Sequence, residues 1–485
     1  MNPQIRRLYL VVFVLFSMLA LAATYIQVIA APSLNADSRN ARTIYQDLEF
    51  DRGPIIVAGD AIARSTLIEG TRRYQREYPG GALYAPITGW FSSALSSKTG
   101  LEESMNDALR GESVSLFQQR IQDLFTGKEP RGGAVALTVK PAVQQAAADL
   151  FASRRGGAVA LDPTTGAILA LYSSPSFDPT GLASSDTSAA TKLSDTLEHD
   201  PNRPLINRAI AGDRYPPGSA FKIVTAAAML ESGQVTPDST VDGPASIPLP
   251  GTDISLPNIT GLPCGSGKPT LTEAFARSCN TPFGSGALSV GGATLAAKAR
   301  DFGFGESLDI PLAVTPSVAE APPDQAKLAM TGIGQSDVQV TPLQMAMVGA
   351  AVANGGKIMK PYLVESILNA DLETMSTTTP ELLTTALTPE VANQLRTMME
   401  AVVTQPYGTG TELASASVPV AAKTGTAETG RDRTIAWTIA FAPADQPRVV
   451  VAVALEGDDD TPYVYGGSDA APIARAMIDA AVGGS

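Results

Sequence analysis

The chain has 485 residues, a formal net charge of −13, one histidine (His199) and two cysteines (Cys264 and Cys279); apolar residues make up 44 % and charged residues 17 %. That length and composition fit a globular protein of two or three domains with a substantial core, and the acidic balance argues against nucleic-acid partners because it repels phosphates. Three Cys and His residues in all fall short of the roughly four ligands of a structural zinc site. A Ser-His-Asp triad would depend on His199, which sits in the loop-like run Glu198-His-Asp-Pro-Asn202, so acid–base chemistry falls to Lys, Asp, Glu or hydroxyl groups.

Residues 1–7 carry Arg6 and Arg7, and Leu8 to Ala31 then runs without a charge. As a helix this stretch would span about 36 Å, enough for a hydrocarbon layer of about 30 Å. The arginines in front of it place the N-terminus in the cytoplasm and everything after Ala31 outside. The run reads as an uncleaved single-pass anchor; the competing reading is a signal peptide, for which Ala20, Ala22, Ala23, Ala30 and Ala31 offer small residues. Outside the cytoplasm Cys264 and Cys279 can form a disulfide, the alternative being two buried thiols.

Beyond the anchor, residues 32–150 read as a polar, mixed unit and residues 151–485 as a second. Arg42 to Arg52 looks strand-like and Glu102 to Phe125 helical, with a turn at Lys128-Glu-Pro-Arg-Gly-Gly133. Pro141 opens a helix with Val143, Ala147, Leu150 and Phe151 on one face. Gly157–Asp162 and Ala167–Tyr172 form a hairpin around Pro163-Thr-Thr-Gly166. Ser173 to Pro201 reads as loop, as does the threonine-rich Met375–Thr379. Thr434–Phe441 and Arg448–Glu456 are strands, and Asp469–Val482 is a helix with Ser468 as cap.

Three motifs carry candidate chemistry. In Pro216-Pro-Gly-Ser-Ala-Phe-Lys222 a turn delivers Ser219 to a helix start and Lys222 lies one turn on, the available base for a serine nucleophile once burial and a nearby cation keep it neutral. In Ser278-Cys-Asn280, Ser278 can relay a proton and Asn280 can hold a substrate amide. In Lys423-Thr-Gly-Thr426, on a strand starting near Val418, Lys423 adds positive charge, Thr424 and Thr426 offer hydroxyls to a carboxylate, and Gly425 lets a ligand approach the backbone. The backbone N–H groups of Ser219 and Thr426 are candidates for an oxyanion hole. Each motif is weak alone; their order and placement are specific.

That ordered set, S-x-x-K, S-x-N and K-T-G, resembles the serine acyltransferases that include β-lactamases and penicillin-binding proteins, and the middle Cys279 suits the latter. Further stretches agree: Arg52-Gly-Pro-Ile55, Gly100-Leu-Glu102, Leu109-Arg-Gly111, Pro175-Ser-Phe-Asp-Pro179, Asn207-Arg208, Gly332-Ile-Gly-Gln335, Thr341-Pro-Leu-Gln-Met-Ala346, Ala436-Trp437 and Phe441-Ala-Pro443. The interval between anchor and second unit is too short for a glycosyltransferase domain, so the resemblance is to class B penicillin-binding proteins, with a compact layout like that of actinobacterial members. It implies an α+β fold: a transmembrane helix, a small mixed pedestal domain, then a penicillin-binding transpeptidase domain with a central antiparallel sheet flanked by helices. It implies catalytic Ser219, Lys222 and Ser278, with Asn280, Lys423, Thr424, Gly425 and Thr426 binding substrate. The implied activity is D,D-transpeptidation of D-Ala-D-Ala peptidoglycan stem peptides in cell wall synthesis at division or in cell shape, with β-lactams as covalent inhibitors and no metal or organic cofactor. Wall-synthesis and divisome proteins, a glycosyltransferase among them, are the implied partners. A D,D-carboxypeptidase or β-lactamase-type hydrolase stays open, and so does a non-catalytic scaffold or penicillin sensor.

Overall fold

The computed structural model describes residues 3–30, 34, 48–116, 131–212, 214–430 and 432–483. It opens on a helix Pro3–Thr24 continued by a π-helical turn Tyr25–Ile29, so the helix starts before the charge-free run and includes both arginines. Within this span of 27 residues an 18-residue window has a mean hydropathy of 2.3 and is not buried against the other described residues, which makes it a candidate membrane anchor. The strand expected at Arg42–Arg52 falls mostly outside the described residues, and Leu48–Phe50 is a turn.

A six-stranded sheet follows, in the order Thr374–Thr377, Val364–Leu368, Ala134–Leu137, Ile55–Val57, Asp60–Leu67, Tyr74–Glu77. Its centre is the apolar pair Ile55–Val57 and Ala134–Leu137, which run parallel with Ile55 opposite Val135. Two of its strands come from far down the chain, and one of them occupies the threonine-rich stretch expected to be loop. The long helix expected from Glu102 is instead two short helices, Gly100–Ser104 and Asn106–Leu109, and a turn Val114–Leu116; residues 117–130 lie outside the described residues. The break has a cause. Gly111 sits at φ +66°, and the chain there must pass close to Arg131 and Gly132. At Gly132 a Cβ would come within 2.0 Å of Leu109 O, so the glycine turn exists to let three backbone segments interlock.

Beneath these segments Glu102 is fully buried between two guanidiniums, Arg52 Nε at 2.6 Å and Arg76 Nε at 2.7 Å. Burial opposes its charge, and Arg76 and Arg52 more than offset that, holding the carboxyl below its ordinary value.

The second sheet is antiparallel, five strands in the order Ala421–Glu428, Thr434–Ala442, Val449–Glu456, Gly156–Leu161, Ile168–Ser174. Its strands read as continuous apolar runs because both faces are covered. The helix Pro342–Ala353 lies on one face; Pro141–Phe151 and the C-terminal helix Ala471–Gly483 lie on the other. On Pro141–Phe151 the buried stripe is Val143, Gln144, Ala147 and Phe151, whereas Leu150 is 39 % exposed, contrary to expectation. Gln144 can be inside because its amide is fully paired: Nε2 donates to Leu83 O and Leu171 O, and Oε1 accepts from Leu171 N.

The stretch Ser173–Pro201 expected to be loop contains a helix, Thr187–Glu198, started by Asp186, whose side chain accepts from Ser188 N and Ala189 N. It buries Ala190 and packs Leu193 and Leu197 near Phe177 and Leu182. His199 ends this helix, exposed and paired with Asp195. The C-terminal helix is preceded by a π-turn Gly466–Ala470, so Ser468 is not its cap; Asp469 Oδ2 accepts from Tyr465 N and Ser468 Oγ instead.

Candidate active site

Ser219 is set by backbone constraints on the turn before it. Gly218 adopts φ +51°, and a Cβ there would meet Thr426 O at 2.7 Å, so only glycine brings this turn against the edge strand Ala421–Glu428. Gly218 N donates to Gly334 O, and Trp437 Nε1 donates to Pro216 O at 2.9 Å, tying the turn to the second sheet. Ser219 lies in a 3-10 turn, Gly218–Phe221, and the α-helix Lys222–Glu231 begins only at Lys222. The tighter turn brings the two side chains together, since residues i and i+3 of a 3-10 turn eclipse each other. Lys222 Nζ lies 2.9 Å from Ser219 Oγ, both groups buried.

The second motif follows the helix Leu271–Ala276, capped by Thr270 Oγ1. Ser278 is in the left-handed region at φ +59°, a conformation that costs roughly 1–3 kcal/mol for a residue with a side chain. It turns both oxygens of Ser278 to use: the carbonyl accepts from Lys222 Nζ at 2.7 Å and Oγ accepts from Lys423 Nζ at 2.8 Å. Asn280 Oδ1 accepts from Lys222 Nζ at 2.8 Å, while its Nδ2 donates to Pro257 O, which fixes which end of the amide faces the lysine.

Both lysines are fully buried, against Phe283 and Phe275 respectively. Burial first, and then the charge of Lys423, hold the Lys222 amine well below its ordinary 10.5. Burial pulls Lys423 down to about 7. The partners of Lys222 decide where its lone pair points. Ser278 O and Asn280 Oδ1 can only accept, so they take the two hydrogens of a neutral amine. In that neutral form the lone pair would be left to face Ser219 Oγ, an arrangement that can serve a general base beside a nucleophile.

On the edge strand, Lys423 also donates to Thr424 O, and Thr424 Oγ1 pairs with Thr409 Oγ1 at 2.5 Å. At Gly425 a Cβ would meet Ala220 N and Pro217 O at 2.9 Å, so the missing side chain admits the Ser219 turn. The strand itself starts at Ala421, later than expected. Cys264 and Cys279 are joined by a disulfide, so the residue inside the second motif is tethered to the segment before it.

Two residues that the sequence did not flag support this arrangement. Thr409 bonds both walls, donating from its N–H to Ala276 O at 3.2 Å and sharing the hydroxyl pair with Thr424. Asn258 accepts from Asn280 N and Thr281 N. Glycines on either side of Thr409 were a signal of a tight segment; nothing in the sequence around Asn258 points to the second motif.

The chain matches two family models, "Penicillin binding protein transpeptidase domain" over residues 156–479 and "Penicillin binding protein A dimerisation domain" over residues 52–135. It is 46 % identical over 496 aligned residues to a protein of Mycolicibacterium smegmatis named peptidoglycan D,D-transpeptidase PbpA, with 99 % of each chain covered. The protein of that name in Mycobacterium tuberculosis H37Rv is 43 % identical, with 100 % of each covered. Among solved structures, penicillin-binding protein A from M. tuberculosis as a ceftriaxone acyl-enzyme complex superposes with a TM-score of 0.86 at 41 % identity, covering 90 % of this chain and 99 % of that one. Its penicillin G acyl-enzyme complex gives 0.83 at 42 % identity, covering 89 % and 100 %.

Proposed function

The chain belongs to the penicillin-binding protein transpeptidase family, class B, and from that membership we propose that it is a peptidoglycan D,D-transpeptidase acting through a serine acyl-enzyme. The observation that carries this reading is the Lys222 amine, whose hydrogens are held by two obligate acceptors so that its lone pair meets Ser219 Oγ.

In this reading Ser219 Oγ attacks the carbonyl carbon of the penultimate D-Ala of a stem peptide, and its proton passes to Lys222 Nζ. The backbone N–H groups of Ser219 and Thr426 receive the developing oxyanion. Thr424 and Thr426 hold the terminal carboxylate, with Lys423 supplying positive charge behind them. The C–N bond breaks, and the leaving D-Ala nitrogen takes a proton through Ser278 Oγ or from Lys222. An acceptor amine of a second stem then attacks the ester, releases Ser219 and forms the cross-link. A β-lactam acylates the same oxygen and stalls at the ester.

The reading extends to the whole chain. Residues 1–7 are cytoplasmic and 8–31 cross the membrane once. Residues 32–150 are the pedestal and 151–485 the transpeptidase domain, which lends Val364–Leu368 and Thr374–Thr377 to the pedestal sheet. With so short an interval before the catalytic domain, glycan strands come from a separate glycosyltransferase, and the partners are wall-synthesis proteins of the divisome.

Detergent-solubilised full-length protein, incubated with a D-Ala-D-Ala pentapeptide and an amine acceptor, is expected to release D-Ala and yield cross-linked product. D-Ala release with no cross-link would favour the hydrolase reading. Reduction of the Cys264–Cys279 bridge is expected to slow β-lactam acylation of Ser219, because the loop carrying Ser278 and Asn280 gains freedom. Stopped-flow acylation with the thiols counted checks this; an unchanged rate after verified reduction means that the bridge does not hold the site.

A further inference from the structure

Asn280 stands at the N-cap of the helix Thr281–Val290 with helical dihedrals, φ −87° and ψ −42°; a cap side chain ordinarily accepts from the N–H two or three residues on, and the first of these is Pro282, which has none. Here it makes no such bond. Its Oδ1 is 2.8 Å from Lys222 Nζ and its Nδ2 is held by Pro257 O. The backbone N–H groups of Asn280 and Thr281 are bonded from another segment. Asn258 Oδ1 accepts from Asn280 N at 2.8 Å, from Thr281 N at 3.1 Å and from Thr281 Oγ1 at 3.2 Å. Asn258 is itself only 4 % exposed, and both hydrogens of its amide are committed, to Pro244 O and Leu262 O.

We propose that Asn258 is a positioning residue for the base: it holds the backbone N–H groups of Asn280 and Thr281, and so fixes where the Asn280 side chain meets the Lys222 amine. Asn258 touches neither the nucleophile nor the base. It acts through Asn280 alone. Without it, the N–H groups of Asn280 and Thr281 lose their acceptor, the backbone carrying Asn280 is no longer pinned, and Asn280 Oδ1 is no longer held against Lys222. The neutral amine is then free to rotate its lone pair off Ser219 Oγ.

The proposal rests on the Ser219–Lys222 reading above, and acylation of the full-length protein by a fluorescent penicillin tests both. Asn258→Ala is expected to acylate roughly 10- to 100-fold more slowly, on the scale of a misplaced proton-transfer group. Asn280→Ala is expected to lose at least as much. Because Asn258 works through Asn280, adding Asn258→Ala to Asn280→Ala should cost less than about 2-fold more, whereas independent sites would multiply. The pH profile gives a second readout. Loss of the Asn280 acceptor removes a bond that favours the ammonium, so the acid limb of acylation moves to lower pH in Asn258→Ala. A loss of folded protein would lower the amplitude at every pH and leave the limb in place.

If Asn258→Ala lacks a cooperative melt, Asn258→Asp carries the test, since it keeps the three-way acceptor. Its carboxylate adds negative charge one residue contact from Lys222, where Lys423 is the charge now acting, so its acid limb moves to higher pH. Multiplicative rates in the double variant, wild-type acylation in Asn258→Ala, or an unmoved limb in Asn258→Asp would each overturn the proposal. A wild-type protein that is not acylated would overturn the underlying site reading with it.

Discussion

Lys222→Met is expected to acylate with penicillin roughly 10²–10⁴-fold more slowly than the wild type while keeping its fold, the range that a positioned proton-transfer group supplies. The substitution is chosen to separate base from scaffold. Lys222 is fully buried against Phe283, and among the described residues its partners are three oxygens, none of them a carboxylate's. A methionine fills similar volume without a charge to bury, so the loss falls on proton transfer rather than on packing. The wild-type pH dependence follows with its sign. Only the unprotonated amine has a lone pair, so acylation falls as pH drops through the Lys222 pKa, which burial and Lys423 hold well below 10.5. Lys222→Arg, which stays charged at any working pH, is expected to be as slow as Lys222→Met. Near-wild-type acylation by either variant would assign the base elsewhere.

Glu102→Gln is expected to destabilise the first sheet by about 3–5 kcal/mol, the scale for breaking a buried ion pair from one side. The carboxylate is bonded by Arg52 Nε and Arg76 Nε, and Tyr78 Oη reaches the same oxygen as Arg76 at 3.3 Å. With the charge gone, two guanidiniums remain buried with no anion between them, and Arg76 Nη2 has no hydrogen-bond partner among the described residues even in the native arrangement. These residues come from three separate segments, so one substitution loosens all of them. The pH dependence has a definite direction. Glu102 is held below its ordinary 4.5, so its contribution is complete above that value and is lost as pH falls through the lowered folded pKa. Thermal melts of wild type and variant from pH 3 to pH 7, as order-of-magnitude limits for carboxylate titration, check this. A gap between the two that stays constant down to the lowest pH would show that the charge of Glu102 is not what matters.

Much of the catalytic layout was legible because it is local. Three residues separate Ser219 from Lys222, and a single turn joins them whether it is α or 3-10. The strand pairs Gly156–Leu161 with Ile168–Ser174, and Thr434–Ala442 with Val449–Glu456, announced themselves as apolar runs with turns between them. What was hidden is non-local. Nothing near Val364 says that its strand joins Ala134–Leu137. Asn258 and Thr409 gain their meaning only when remote segments meet the second and third motifs. The approach of Pro217 and Ala220 to Gly425 was equally hidden, because it joins two motifs far apart in the chain. The helix Thr187–Glu198 was missed because its apolar stripe is thin, one buried alanine and two leucines, in a polar stretch.

The central claim is that Ser219 Oγ is the atom acylated. Intact-protein mass spectrometry after incubation with penicillin G tests it most directly, with the wild type and Ser219→Ala run side by side at matched fold. The wild type is predicted to gain one penicillin per chain in a form that survives denaturation, located on the peptide containing Ser219, and Ser219→Ala is predicted to gain none. A stable stoichiometric adduct on Ser219→Ala would contradict the assignment.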